Sequence, residues 1–129
     1  MIGGIVLTHG NIGDALIEAA KSILGEVNDI YAFSTTNLSL NDINKKLRQI
    51  ISIQNWENGT VIMVSLMGGS CWNSGVALAR QMLKTEVVSG ANLIMLISFL
   101  SKRDRYSLSE LAEIIKEDSV RGIERYINK

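Results

Sequence analysis

The sequence has no proline, one cysteine and one histidine, and its charges cancel. A single cysteine excludes an internal disulfide. With one histidine beside it, there is no set of soft ligands for a structural zinc. Lys+Arg and Asp+Glu stand at 13 each, so nothing in the balance calls for nucleic acid, and no broad basic face appears. The longest apolar run, Leu93-Ile94-Met95-Leu96-Ile97-Ser98-Phe99-Leu100, is too short to span a bilayer. The N-terminus lacks the Lys/Arg-led apolar block of a secretory signal. The expected setting is a reducing cytoplasm. The absence of proline carries no functional reading.

What is present suits one globular domain over residues 1–129: the apolar share is 47% and the charged share 20%. Ile2 to Leu7 is a nearly continuous apolar run, as in a strand buried on both faces of a parallel sheet. Asn11 reads as an N-cap, with Asp14 complementing the dipole. Ile12, Leu16, Ala19, Ala20, Ile23 and Leu24 keep helical spacing up to Gly25. Val27 to Phe33 reads as a second strand, and Ser34-Thr35-Thr36-Asn37 as a polar loop. Ser39 and Asp42 resemble a capping box for a helix carrying Leu40, Ile43, Leu47, Ile50 and Ile51.

Thr60 to Leu66 is the clearest strand, broken by Met67-Gly68-Gly69-Ser70. A helix follows from Cys71 to Leu83, with Val76, Ala77, Leu78, Met82 and Leu83 on its core face, and Glu86 to Ala91 reads as a fourth strand. Leu93 to Leu100 favours a buried helix. Lys102-Arg103-Asp104-Arg105 is a charged turn whose arginines are either solvated or placed to meet an acidic partner. Ser107 with Glu110 opens a final helix through Leu111, Ile114, Ile115, Ile123 and Ile127. The alternation predicts a three-layer α/β/α fold, with a mainly parallel sheet in the order 2-1-3-4 and helices on both faces.

In such a sheet, ligands sit beyond the strands' carboxyl ends, where the strand order reverses. Two loops then converge. One carries Thr8, His9, Gly10 and Asn11; the other carries Ser65 to Cys71. Glycines that let backbone N–H groups approach closely, feeding helix N-termini, favour an anion and above all a phosphate. A histidine beside such a cradle suits nucleophilic attack on phosphorus. Gly10-Asn11-Ile12-Gly13 lacks the first glycine of a dinucleotide fingerprint. Cys71 reads as a small buried or half-buried thiol more readily than as a nucleophile, having no second histidine to pair with. A two-component receiver would need an acidic phospho-acceptor where Ser65 stands, and a flavin module would need a phosphate loop richer in Ser and Thr.

Ile5-Val6-Leu7-Thr8-His9-Gly10, Val64-Ser65-Leu66-Met67-Gly68-Gly69-Ser70-Cys71-Trp72-Asn73 and Val88-Ser89-Gly90-Ala91-Asn92-Leu93-Ile94-Met95-Leu96 together resemble the enzyme IIA component of the mannose-family (fructose/mannose/sorbose-type) sugar phosphotransferase system. The resemblance implies a cytoplasmic, usually dimeric phosphoryl carrier that needs no metal or cofactor. It implies that the histidine matching His9 accepts phosphate at Nε2 from the phosphocarrier HPr. The phosphate passes to a IIB component, which phosphorylates a sugar entering through the membrane subunits IIC and IID. It further implies that Thr8, Gly10, Gly68, Gly69 and Ser70 form the phosphate site. The family usually has an aspartate where this chain has Ser65, so the resemblance leaves the imidazole to be oriented by an uncharged partner: the Ser65 hydroxyl, a backbone carbonyl or a water. The alternative role is a regulatory IIA-like module whose phosphorylation state is read by a partner.

Overall fold

The computed structural model describes residues 1–128. The chain runs β1 (Ile2–Thr8), α1 (Ile12–Leu24), β2 (Ile30–Ser34), α2 (Leu40–Ile53), β3 (Gly59–Val64), α3 (Ser70–Gln81), β4 (Thr85–Ser89), α4 (Leu93–Lys102) and α5 (Leu108–Arg121). The strands form one parallel sheet in the order β2-β1-β3-β4, as the alternation predicts. In register, Leu7 lies beside Val64 and Thr8 beside Ser34. The loops after β1, β2 and β3 therefore emerge side by side at one end of the sheet.

Each face of the sheet has its own core, because successive strand residues point to opposite sides. Val6 and Met63 pack with Met95, Leu96 and Phe99 of α4 and with Leu111 and Ile115 of α5. Ile5, Leu7, Ile62 and Val64 pack with Ile43 and Leu47 of α2 and with Cys71 and Leu78 of α3. Gly3 lies flat under the indole of Trp56: a Cβ there would come within 1.8 Å of the ring. The indole N–H donates to Asp29 Oδ1 at 2.9 Å.

Several local expectations are corrected. The second strand begins at Ile30 rather than Val27. Ile12, Ile23, Leu24 and Leu40 keep helical spacing yet stand exposed. They fall at the helix ends, beyond the reach of the sheet, where periodicity alone does not ensure burial. Leu83 is fully outside the core, since α3 ends at Gln81. The final helix stops at Arg121, and Ile123 and Ile127 lie past it. Gly122, a poor helix former, sits against Ile94 at that stop. Ser107 and Glu110 complete a reciprocal capping box, whereas Ser39 supplies one half of its box by accepting from the Asp42 N–H. Arg103 is buried rather than offered to a partner.

Asp118 joins α4 to α5. Its carboxylate accepts from Lys102 Nζ and from Ser98 Oγ, each at 2.6 Å, and also pairs with Arg121. The Lys102 bond, then the Ser98 bond, holds the Asp118 carboxyl below its ordinary value. A depressed folded-state pKa gives stability that is present above the unfolded pKa and lost as pH falls through the folded one. Asp118→Asn is therefore expected to cost about 1 kcal/mol at neutral pH, discounted for partial solvent screening. The gap between variant and wild type is expected to close as the pH drops below about 4. Urea unfolding of both proteins across that range checks it; a gap independent of pH would refute the ionic account.

Candidate functional site

At the carboxyl end of the sheet, β1 delivers His9 to the surface. Thr8 ends the strand buried, and its Oγ1 accepts from the Gly13 N–H at 3.1 Å. Thr8, rather than Asn11, thus supplies the side-chain cap of α1; Asn11 makes no such bond. The Thr8 hydroxyl is committed to the helix and does not face the solvent.

The chain must then turn sharply. Gly10 has φ +56°, a region open to glycine at little cost, and a Cβ there would meet nothing within 4 Å. Conformation, rather than crowding, calls for this glycine. Its N–H donates to Thr36 Oγ1 at 2.9 Å, from the loop after β2. Thr36 in turn is bonded to Ser34 Oγ at 3.0 Å. The β2 loop is thus a third wall of the site, which a polar Ser-Thr-Thr-Asn segment does not announce in the sequence. Pairing of Thr8 with Ser34, implicit in the order 2-1-3-4, is the signal that places it there.

The second expected wall comes from β3. Gly68 has φ +83° and Gly69 is the N-cap of α3, with φ −83°. The positive φ makes Gly68 the position that needs glycine; Gly69 is in ordinary backbone. No side chain caps α3. The partial positive charge of its first N–H groups therefore remains exposed at this end of the sheet. Ser70, the first residue of α3, places Oγ 3.1 Å from His9 Nε2. The side chains of His9 and Ser70 are both exposed.

The other ring nitrogen does not find its expected partner. Ser65 follows β3 and its Oγ is buried without a hydrogen bond, so Ser65 does not hold the ring. Nδ1 instead faces Cys71 Sγ at 3.8 Å. That sulfur is 0% exposed and also lies 3.5 Å from Thr35 Oγ1. The structure thus brings together His9, Gly10, Gly68, Gly69 and Ser70, adds Thr35, Thr36 and Cys71, and leaves Ser65 unbonded beside them. Leu66, Met67 and Ile12 stand exposed around this rim.

An imidazole at the switch point of a parallel sheet, with Nε2 beside the start of a helix that no side chain caps, places the chain among α/β proteins whose strand ends carry the candidate site. The chain belongs to the family described as the PTS system fructose IIA component, which residues 3–116 match. This is the mannose-family IIA component of a sugar phosphotransferase system, as the sequence motifs suggest. The chain is 26% identical over 117 residues to the fructose-specific EIIA component of Bacillus subtilis (strain 168), covering 90% of this chain and 80% of that one. It is also 26% identical over 113 residues to the sorbose-specific EIIA component of Klebsiella pneumoniae, covering 88% and 83%. The crystal structure of phosphotransferase system component EIIA from Streptococcus agalactiae shares the fold. Its TM-score is 0.88 at 24% identity, covering 97% of both chains. Among the described residues, no helix is long and apolar enough to cross a membrane.

Proposed function

We propose that the protein carries phosphate on His9, accepting it at Nε2 from phosphorylated HPr and passing it to a IIB component that phosphorylates an incoming sugar. The observation that carries this reading is His9 Nε2 3.1 Å from Ser70 Oγ, both residues exposed, at the uncapped start of α3. The Nε2 lone pair attacks phosphorus, the N–P bond forms, and the bond to the donor breaks with its electron pair returning to the donor. Ser70 Oγ and the first N–H groups of α3 face the transferred oxygens, where preorganised donors stabilise developing negative charge. Gly10 and Gly68 keep both loops free of side-chain bulk: beyond its chain neighbours, a Cβ at either would meet nothing within 4 Å. Thr8 contributes through α1, whose N-terminus it caps. The exposed Leu66, Met67 and Ile12 offer apolar contact to a carrier protein docking over the ring.

Incubation with phosphoenolpyruvate, enzyme I and HPr is expected to add one phosphoryl group, read by intact mass. Adding a IIB component is expected to remove it. An unchanged mass, under conditions that label another IIA protein, would sink the reading. Labelling that a IIB component never discharges would instead favour a regulatory carrier whose state is sensed by a partner.

A further inference from the structure

The ring of His9 must present a bare lone pair at Nε2, so its single proton must sit on Nδ1. Free neutral imidazole side chains favour the opposite tautomer, with the proton on Nε2. Which nitrogen carries the proton is set by the hydrogen bond made by the other. An acceptor held at Nδ1–H by the protein would fix that tautomer.

Ser65 occupies the expected position, yet its buried Oγ makes no hydrogen bond. The atom that faces Nδ1 is Cys71 Sγ, 3.8 Å away. This is within hydrogen-bonding range for sulfur, an atom larger than oxygen. The sulfur is fixed in place. Cys71 is 0% exposed at the start of α3 and packs in the core formed with Leu7 and Val64. Its position relative to β1 therefore does not depend on a mobile loop side chain. A further partner, Thr35 Oγ1, lies 3.5 Å from the sulfur and is itself buried.

We infer that Cys71 is the positioning residue for His9: its sulfur accepts from Nδ1–H and holds the ring in the tautomer that attacks through Nε2. The thiol proton then points to Thr35 Oγ1. The chain runs Nδ1–H to sulfur and S–H to oxygen, with every proton retained by its own atom. During transfer the N–P bond forms at Nε2 and the donor's bond to phosphorus breaks. The Nδ1 proton stays on the ring, and the thiol is neither oxidised nor ionised. With the Nδ1 proton retained, the phosphorylated ring is a cation, and the same Nδ1–H donates to sulfur after transfer as before it. An uncharged thiol here does geometrically what a carboxylate would do with charge added.

The inference rests on the proposed role of His9, but its test does not need phosphoryl transfer. Nitrogen-15 long-range correlation NMR of the unphosphorylated protein, above the ring's titration range, reads the tautomer directly. The wild type is expected to show the Nδ1–H form. Cys71→Ala is expected to shift the ring toward Nε2–H and to slow single-turnover phosphorylation about ten-fold, as losses of a histidine's outer hydrogen-bond partner do. Ser65→Ala is expected to retain the wild-type tautomer. An Nε2–H wild type would overturn the inference without any variant, whether or not Cys71→Ala folds. Equally, Cys71→Ala that keeps the Nδ1–H form would overturn it. Either result, in a wild type that still accepts phosphate, leaves the carrier role standing. A wild type that shows the tautomer but takes no phosphate refutes the carrier role alone.

Discussion

Replacing His9 by alanine is expected to reduce phosphoryl labelling to background while leaving the fold as stable as wild type. The chemical loss is total because neither polar neighbour can replace the ring as nucleophile. Ser70 Oγ has His9 Nε2 as its nearby basic partner, and an unactivated hydroxyl is a weak nucleophile. Cys71 is 0% exposed, so a protein donor cannot bring phosphorus to its sulfur. The structural loss is small because the imidazole is exposed and its two contacts are replaceable. Water takes the place of the ring on Ser70, and Cys71 keeps Thr35. The stability change is expected within about 0.5 kcal/mol, as for other exposed side chains. Ser70→Ala provides the graded comparison. It removes one donor facing the phosphoryl oxygens, and a loss of about a hundred-fold in rate is expected, with labelling retained at long times. Residual labelling of His9→Ala at the wild-type stoichiometry would move the acceptor elsewhere and undo the assignment.

The position of His9 was legible because it depends on topology alone. Alternating strands and helices dictate a parallel sheet, the order 2-1-3-4 follows, and the β1 and β3 loops then meet at the reversal. The same rule also places Thr35 and Thr36 beside His9, through β2. Neither is legible as a site residue, because a threonine in a polar loop has no chemistry of its own; the role of Thr36 appears only when Gly10 N–H arrives as donor, and that of Thr35 beside Cys71. The sequence marks Cys71 as a buried thiol, and the structure agrees; its contact with the His9 ring is not legible from sequence. Whether a core side chain points its sulfur at a ring nitrogen depends on the rotation of α3 about its axis, which sequence spacing does not set finely enough. Ser65 failed in the opposite way. Its place in the motif at the end of β3 is legible, yet its hydroxyl is buried there without a hydrogen bond and does not reach a partner. The exposed Ile12, Ile23 and Leu24 make a related point: periodicity identifies a helix, while the length of sheet beneath it decides which turns are covered.

Arg103→Ala is expected to be the most destabilising of the substitutions considered, and it acts far from the phosphate site. The arginine follows α4 and is 8% exposed. Its guanidinium donates to Asn28 O at 2.7 Å, Asp29 O at 3.1 Å, Asn28 Oδ1 at 3.2 Å and Ile2 O at 3.5 Å. It also lies over the Phe99 ring, 5.4 Å from the centroid. These acceptors belong to the loop between α1 and β2 and to the first residue of β1. One side chain therefore fastens the amino-terminal end of the sheet to the end of α4. Burial lowers the Arg103 pKa, while Asp104 and Asp29 oppose that shift, and guanidinium remains a cation at neutral pH. Truncation leaves the carbonyls of Ile2, Asn28 and Asp29 without this donor. With hydrogen bonds to a charged donor at roughly 1.5–3 kcal/mol each, partly recovered by solvent, a net loss of about 3 kcal/mol is expected. For a domain of this size that lowers the melting temperature by about 10 °C. Arg103→Lys keeps the charge but not the planar fork, so it reaches fewer of the carbonyls and is expected to recover less than half of the loss. Because guanidinium does not titrate, the Arg103→Ala deficit is expected to be the same at pH 5 and pH 8 (roughly the span over which most domains are stable), whereas the Asp118 contribution fades in acid. A loss below about 1 kcal/mol would mean that water substitutes for the guanidinium and that the loop is held instead by the bonds Asp29 makes to Gly4 and Trp56.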